Sequence, residues 1–334
     1  MLDSLGDETI NQNEEDLTKT SEENENKEMP NEETSDGFDL SKDKDLALLL
    51  RKKDDDTIKR EIRKHIDNII KKSNLNTDYK IIFLYDPVGD IMDYDLNKIN
   101  GSLPLVANGE KIKKILLILH SNGGYIEPAY LISKLCKERA EKFIVVVPGK
   151  AKSAATLLAL GADEIHMGTI SQLGPIDPQI GGRSVLTLGN AVEYLAKLSE
   201  KYPGSSDMLA KYLSTELDLK QLGHFERISE SAAQYGEMLL DGRKFSNGMT
   251  AREIAEKFTF FFKDHGFVID RKECEKYLDN IKSVTPELAL GEELFSWLNN
   301  LDFYLDWIKK KYIIISGDHK GDGLILLKKP EPNN

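Results

Sequence analysis

Residues 148–165 read PGKAKSAATLLALGADEI, and the fold turns on how this stretch is read. It follows FIVVV (143–147), a β-branched and aromatic run suited to a strand, and passes at once into helix formers. Ser153 stands at the junction, behind Lys150 and Lys152 and ahead of Ala154 and Ala155. A hydroxyl there has two readings. It is a helix N-cap, accepting from first-turn N–H groups. Alternatively it is a nucleophile at the C-terminal end of a buried strand, where open α/β sheets carry their ligand sites.

Working outward, the same pattern repeats. YKIIFLYD (79–86) reads as a strand, and KILLILHS (114–121) is a continuous apolar strand of the kind buried on both faces. NGG (122–124) ends it, and EPAYLISKLCKERAEK (127–142) is a helix. DEIHMG (163–168) is a short strand, followed by the loop TISQLGPIDPQIGG. Strands and helices alternating with short connections define a parallel sheet with right-handed crossovers, hence an α/β fold. A Gly–Gly pair at a strand end lets bare backbone N–H groups face outward. With the N–H of Ala154 they form a possible cradle for an oxyanion, on the same rim as Ser153.

The combination of LILHSNGG (117–124), VVVPGKAKSAATLLALGADEI (145–165) and LGPIDPQIGG (173–182) resembles the Clp-peptidase/crotonase-type fold. More closely, it resembles the serine dehydrogenase proteinase family, relatives of signal peptide peptidase A. The resemblance runs from about residue 80 to 183, about a third of the chain. It implies a spiral of ββα units around a parallel sheet, to which this chain adds helical segments and a C-terminal β-hairpin. It also implies an acyl-transfer site with Ser153 as nucleophile, Gly123 or Gly124 plus Ala154 as oxyanion donors, a polypeptide substrate and a homo-oligomer.

The general base is open at this level. In Clp peptidases a histidine begins the motif that here reads DPQIGG, and Asp177 stands at that place between Pro175 and Pro178. An aspartate of ordinary pKa is a poor base for a serine hydroxyl, so Asp177 reads as shaping the site. Signal peptide peptidase A relatives use a lysine roughly fifty residues beyond the serine, a role open to a desolvated amine. Lys197, Lys201 and Lys211 fall in that window, all on charged helical stretches. Lys152 adjoins the serine and reads as an anchor for a substrate carboxylate or a subunit contact. Among the histidines, His120 ends the LILHS strand, His166 lies on the next strand, and His224 falls near the usual place of the triad acid. His265, in DHGFVID, resembles a histidine-containing stretch late in the serine dehydrogenase proteinase family. His265 and His120 rank first, Lys201 and Lys211 next.

The charge is unevenly spread. Residues 1–40 hold fourteen Asp and Glu against Lys19 and Lys27, which accounts for the whole net charge of −12. The remainder balances near zero, so no nucleic-acid partner is expected. Residues 1–42 are expected to be a disordered acidic tail. Residues 43–76 hold one amphipathic helix, 77–245 the peptidase-like domain and 246–330 a helical segment ending in a hairpin over 312–329. The hairpin's GDHKGDG turn reads as solvated. No apolar run is long enough to span a membrane, and a cytoplasmic location is expected. Cys136 and Cys274 are isolated and read as buried thiols; there is no Cys/His metal spacing, and no cofactor is expected.

Three functions compete. The first is a serine peptidase working through an acyl-enzyme. The second is an inactive oligomeric scaffold or peptide-binding member of the same fold, suggested by the missing base. The third is crotonase-type chemistry on a thioester, for which no adenine or pantetheine pocket is apparent.

Overall fold

A computed structural model describes residues 37–73, 75, 77–105, 110–180 and 183–330. Most of the acidic tail, and Gly181 and Gly182 of the DPQIGG motif, lie outside the described residues. Leu40, inside the stretch expected to be disordered, is buried, and its carbonyl accepts a hydrogen bond from Trp297 Nε1–H (2.9 Å).

The helix expected over 43–76 is two helices, α1 (Asp43–Lys52) and α2 (Asp55–Lys72). The break is local chemistry. Lys53 is extended, and the Asp54 carboxylate accepts the Thr57 N–H (2.9 Å), capping a new helix. After these come β1 (Tyr79–Asp86), α3 (Asp93–Ser102), β2 (Ile112–Ser121), α4 (Ile126–Arg139), β3 (Ala140–Val147), β4 (Lys150–Ala151), α5 (Ala154–Leu160) and β5 (Glu164–Met167). Short strands β6 (Gln172–Leu173), β7 (Gln179–Ile180) and β8 (Arg183–Ser184) lead into a helical arm, α6 (Leu186–Lys201), α7 (Ser206–Glu216) and α8 (Leu219–Leu240). The chain closes with α9 (Ala251–Glu256), which runs on as a π-helical turn Lys257–Phe261. Then follow β9 (Ile269–Asp270), α10 (Arg271–Cys274), β10 (Ile281–Lys282), α11 (Pro286–Lys309), β11 (Lys311–Gly317) and β12 (Leu324–Lys328).

The main sheet runs β10-β5-β3-β2-β1-β11-β12. From β10 to β1 the strands are parallel; β11 joins β1 antiparallel and carries β12 antiparallel. The C-terminal hairpin is therefore the edge of the same sheet. Both faces are covered, which explains the unbroken apolar strands. Leu117, Leu119, Val145 and Val147 face a core built with α4, α5, α8 and α9. Leu116, Ile118, Ile144 and Val146 face a second core with α1, α2 and α11. The hairpin turn is not fully solvated: His319 is buried, its Nε2 3.0 Å from Asp67 Oδ1 and its ring edge-on to Phe83.

A short side layer branches at the C-terminal end of this sheet. β4 pairs with β2 through Ser121 and Ala151, and with β6 through Lys150–Gln172 and Ala151–Leu173. β6 pairs antiparallel with β9 through Gln172–Asp270 and Leu173–Ile269. These pairings bring NGG, Ser153 and the segment around residue 265 to one rim.

Candidate active site

Ser153 stands at the N-cap of α5, yet its side chain makes no capping hydrogen bond. Its carbonyl starts the helix by accepting Leu157 N–H (3.1 Å). The backbone is at φ 50°, ψ −122°, a conformation L-residues rarely adopt. Such strain persists only where the surroundings enforce it, and it concentrates at functional sites. The turn is braced: Lys152 N–H donates to Ser121 O (3.1 Å), and Thr156 Oγ1 donates to Ala151 O (2.7 Å) while accepting Gly174 N–H (3.0 Å). The N-cap reading accounts for the residue's position but not for its hydroxyl.

The two glycines differ in what their N–H groups do. Both have positive φ, 116° at Gly123 and 143° at Gly124. A Cβ on Gly123 would lie 2.7 Å from Ser153 Cβ, so glycine is required for the close approach of the two turns. The Gly123 N–H donates to Ser121 Oγ (3.1 Å) and its carbonyl accepts Ile91 N–H (2.8 Å). Among the described residues, the N–H groups of Gly124 and Ala154 have no partner. The free pair is therefore Gly124 with Ala154, and Gly123 is the residue that lets the two turns approach.

His265 and Asp177 are 88 residues apart in sequence and are joined by a 2.6 Å contact between Nδ1 and Oδ1. Asp177 is almost fully buried, its side chain 4% exposed against 36% for His265. Its other oxygen accepts Gln179 Nε2–H (2.9 Å), and Ile176 N–H donates to Phe258 O (2.8 Å), anchoring the segment. A carboxylate only accepts, so Nδ1 carries the proton, and Nε2 of the neutral ring is left as the acceptor. The Asp177 hydrogen bond is the largest influence on the imidazole and raises its pKa above the ordinary 6.5; burial opposes this.

Ser153, Gly124 and His265 line one cleft of about 490 Å³, together with Asp90, Tyr125, Glu127, Gln179 and Tyr235. Among the described residues the Ser153 hydroxyl has no hydrogen-bond partner.

The other candidate bases lie elsewhere. His120 projects to the α11 side of the sheet, stacked on Tyr85 (5.3 Å between centroids) and against Phe295 (4.7 Å). There its Nδ1 accepts Lys150 N–H (3.3 Å), and burial pushes its pKa down to about 4. His166 is buried on the same side, 2.7 Å from Thr285 Oγ1 and 3.2 Å from Glu164. His224 is exposed on α8 beside Arg227 (3.3 Å). Lys197, Lys201 and Lys211 are exposed on the helical arm, Lys197 pairing with Glu193 (2.7 Å) and Lys201 lying over Tyr202. Lys152 directs two of its three Nζ–H donors to backbone carbonyls, Leu173 O (3.2 Å) and Phe267 O (2.9 Å). Cys136 and Cys274 are buried in the core.

Gln179 and Ser121 were not singled out in the sequence. Gln179 lies in the DPQIGG motif, two residues past the aspartate it supports, which is the one local signal it carries. Ser121, at a strand end, carries none.

The architecture is a mixed α/β fold with a largely parallel sheet, of the ClpP/crotonase-like kind. Residues 47–202 match the family described as ClpP-like SDH-type serine proteinase. Two uncharacterized proteins of Methanocaldococcus jannaschii are similar. MJ0137 is 33% identical over 138 residues, 40% of this chain and 48% of the relative. MJ1495 is 32% identical over 145 residues, 43% of each chain. The chain thus spans less than half the length of these curated relatives. Among solved structures, a mutant of a membrane-bound stomatin-specific protease is similar at 19% identity and a TM-score of 0.38, covering 66% of this chain and 83% of that one. No helix among the described residues is long and apolar enough to cross a membrane.

Proposed function

We propose that the chain is a serine peptidase using Ser153, His265 and Asp177. The observation that carries the reading is the Asp177–His265 hydrogen bond of 2.6 Å, in a cleft that His265 shares with Ser153. Asp177 fixes the imidazole tautomer. His265 Nε2 takes the proton as Ser153 Oγ attacks the peptide carbonyl. The oxyanion is held by the N–H groups of Gly124 and Ala154. The tetrahedral adduct then collapses: the C–N bond breaks, and His265 returns its proton to the departing amine. A water, deprotonated by the same nitrogen, attacks the acyl-enzyme and releases the acid, regenerating the Ser153 hydroxyl.

The match of residues 47–202 to a serine proteinase family supports a polypeptide substrate. The scaffold reading rested on a missing base, and the Asp177–His265 pair in the same cleft weighs against it. Labelling by a serine-directed fluorophosphonate separates the two. The peptidase takes up the probe at Ser153, and Ser153→Ala and His265→Ala do not; a scaffold takes up none.

A further inference from the structure

Ser153 and His265 lie on segments joined by one short ladder, the two residue pairs between β6 and β9. Such a ladder sets direction but is a weak clamp, and a misplacement of about 1 Å between reacting groups costs about a hundredfold in rate. A second tie is present. Lys152, the neighbour of Ser153, extends its Nζ to Phe267 O (2.9 Å) and to Leu173 O (3.2 Å). Phe267 lies two residues beyond His265, and Leu173 is the β6 residue that pairs with Ile269. One ammonium therefore joins the turn of the nucleophile, the side layer and the histidine loop.

From this geometry we infer that Lys152 is a positioning residue, holding the His265 loop in register with Ser153 and Asp177. The inference rests on the peptidase reading for its kinetic consequence, but not for its structural one. Three observations support it. An amine is costly to bury unless its hydrogen bonds are made, and here two carbonyls from separate segments receive them. The fold makes room for the stem: a Cβ on Gly174 would collide with Lys152 Cδ, so glycine at 174 leaves the lysine its path. The loop's own bonds, Gly266 N–H on Asp264 Oδ1 (2.7 Å) and Phe267 N–H on Asp264 O (2.9 Å), stay within it and the His265 bond runs to Asp177, so it is Lys152 that ties this turn to that of the nucleophile. The charged groups acting on the imidazole are Asp177 and Asp264, which raise its pKa, and Lys152, which lowers it.

The opposed signs make the test decisive. If Lys152 acted only through its charge, Lys152→Met would raise the His265 titration midpoint. If it positions the loop, Lys152→Met loosens the Asp177 contact, and the midpoint falls toward the ordinary imidazole value of about 6.5. The experiment follows the His265 ring by NMR in the full chain, assigned with His265→Asn, and measures fluorophosphonate labelling in parallel. Gly174→Ala is the second variant; it leaves the amine in place and displaces its stem, so the test survives a misfolded Lys152→Met. The expected result is a lowered midpoint in both variants, labelling slowed about ten- to a hundredfold, and partial recovery with Lys152→Arg, which keeps donors for both carbonyls. A midpoint that is unchanged or raised in the variants that fold overturns the inference, whatever the labelling. A lowered midpoint in a protein whose wild type takes up no probe supports the tie and rejects the peptidase reading instead.

Discussion

His265 Nδ1 lies 2.6 Å from Asp177 Oδ1 and is paired with a carboxylate that is almost wholly removed from solvent. The pairing orients the ring and turns its second nitrogen into an acceptor. Asp177→Asn replaces an acceptor-only group with an amide able to present either end. It is expected to lower kcat by about 10²–10⁴-fold with little change in KM. Steady-state kinetics on a peptide substrate checks this; a change confined to KM would assign Asp177 to substrate binding.

The same pair sets a pH dependence. The His265 pKa is raised above its ordinary value, chiefly by the Asp177 hydrogen bond. Attack needs the neutral ring, so the rate is expected to climb with pH through a midpoint above that of a free imidazole. Asp177→Asn shifts the midpoint down. Stability has the opposite sign. A raised folded-state pKa contributes stability that is fully present below the unfolded value of about 6.5 and is lost as pH rises through the folded value. Activity thus appears as this contribution fades, and rate and unfolding free energy measured across pH in one buffer series test both signs.

Ser153 is held at φ 50° without the benefit of a capping bond. Glycine adopts this conformation freely and alanine does not. Both substitutions remove the hydroxyl, but Ser153→Gly is expected to be more stable than Ser153→Ala by about 1 kcal/mol. Glycine's better fit at an N-cap acts in the same direction, and urea unfolding of the two variants reads the difference directly.

Lys201→Ala and Lys211→Ala are expected to leave the labelling rate within about twofold of wild type, since surface changes away from a site are close to neutral. A loss of about a hundredfold in either would revive a serine–lysine arrangement and displace His265 from the role of base.

The proposed nucleophile, Ser153, carries a local signal: a strand, a sharp turn and small residues within PGKAKSAATLLALGADEI, answered by NGG at the end of the neighbouring strand. The proposed base, His265, was ranked first but could not be separated from His120, because Asp177 and His265 meet only after β6 and β9 pair, a contact spanning most of a hundred residues. His120 was ranked alongside His265 for a related reason. Its strand is apolar on both faces, so alternation gives no sign of which side is the catalytic one, and the fold turns it toward Phe295. The break at Asp54 was readable in the run DDD, which supplies an N-cap in mid-pattern. The burial of His319 was not, since a turn of glycines and aspartates looks solvated until α2 brings Asp67 across it.

The central claim is that Ser153 is a nucleophile activated by His265. Covalent labelling of the full chain with a fluorophosphonate, with the modified residue located by mass spectrometry, tests it most directly. The expected result is a single adduct on Ser153, lost in Ser153→Ala and slowed at least about a hundredfold in His265→Ala. An unlabelled wild type, or a Ser153 adduct formed equally fast without His265, would contradict it.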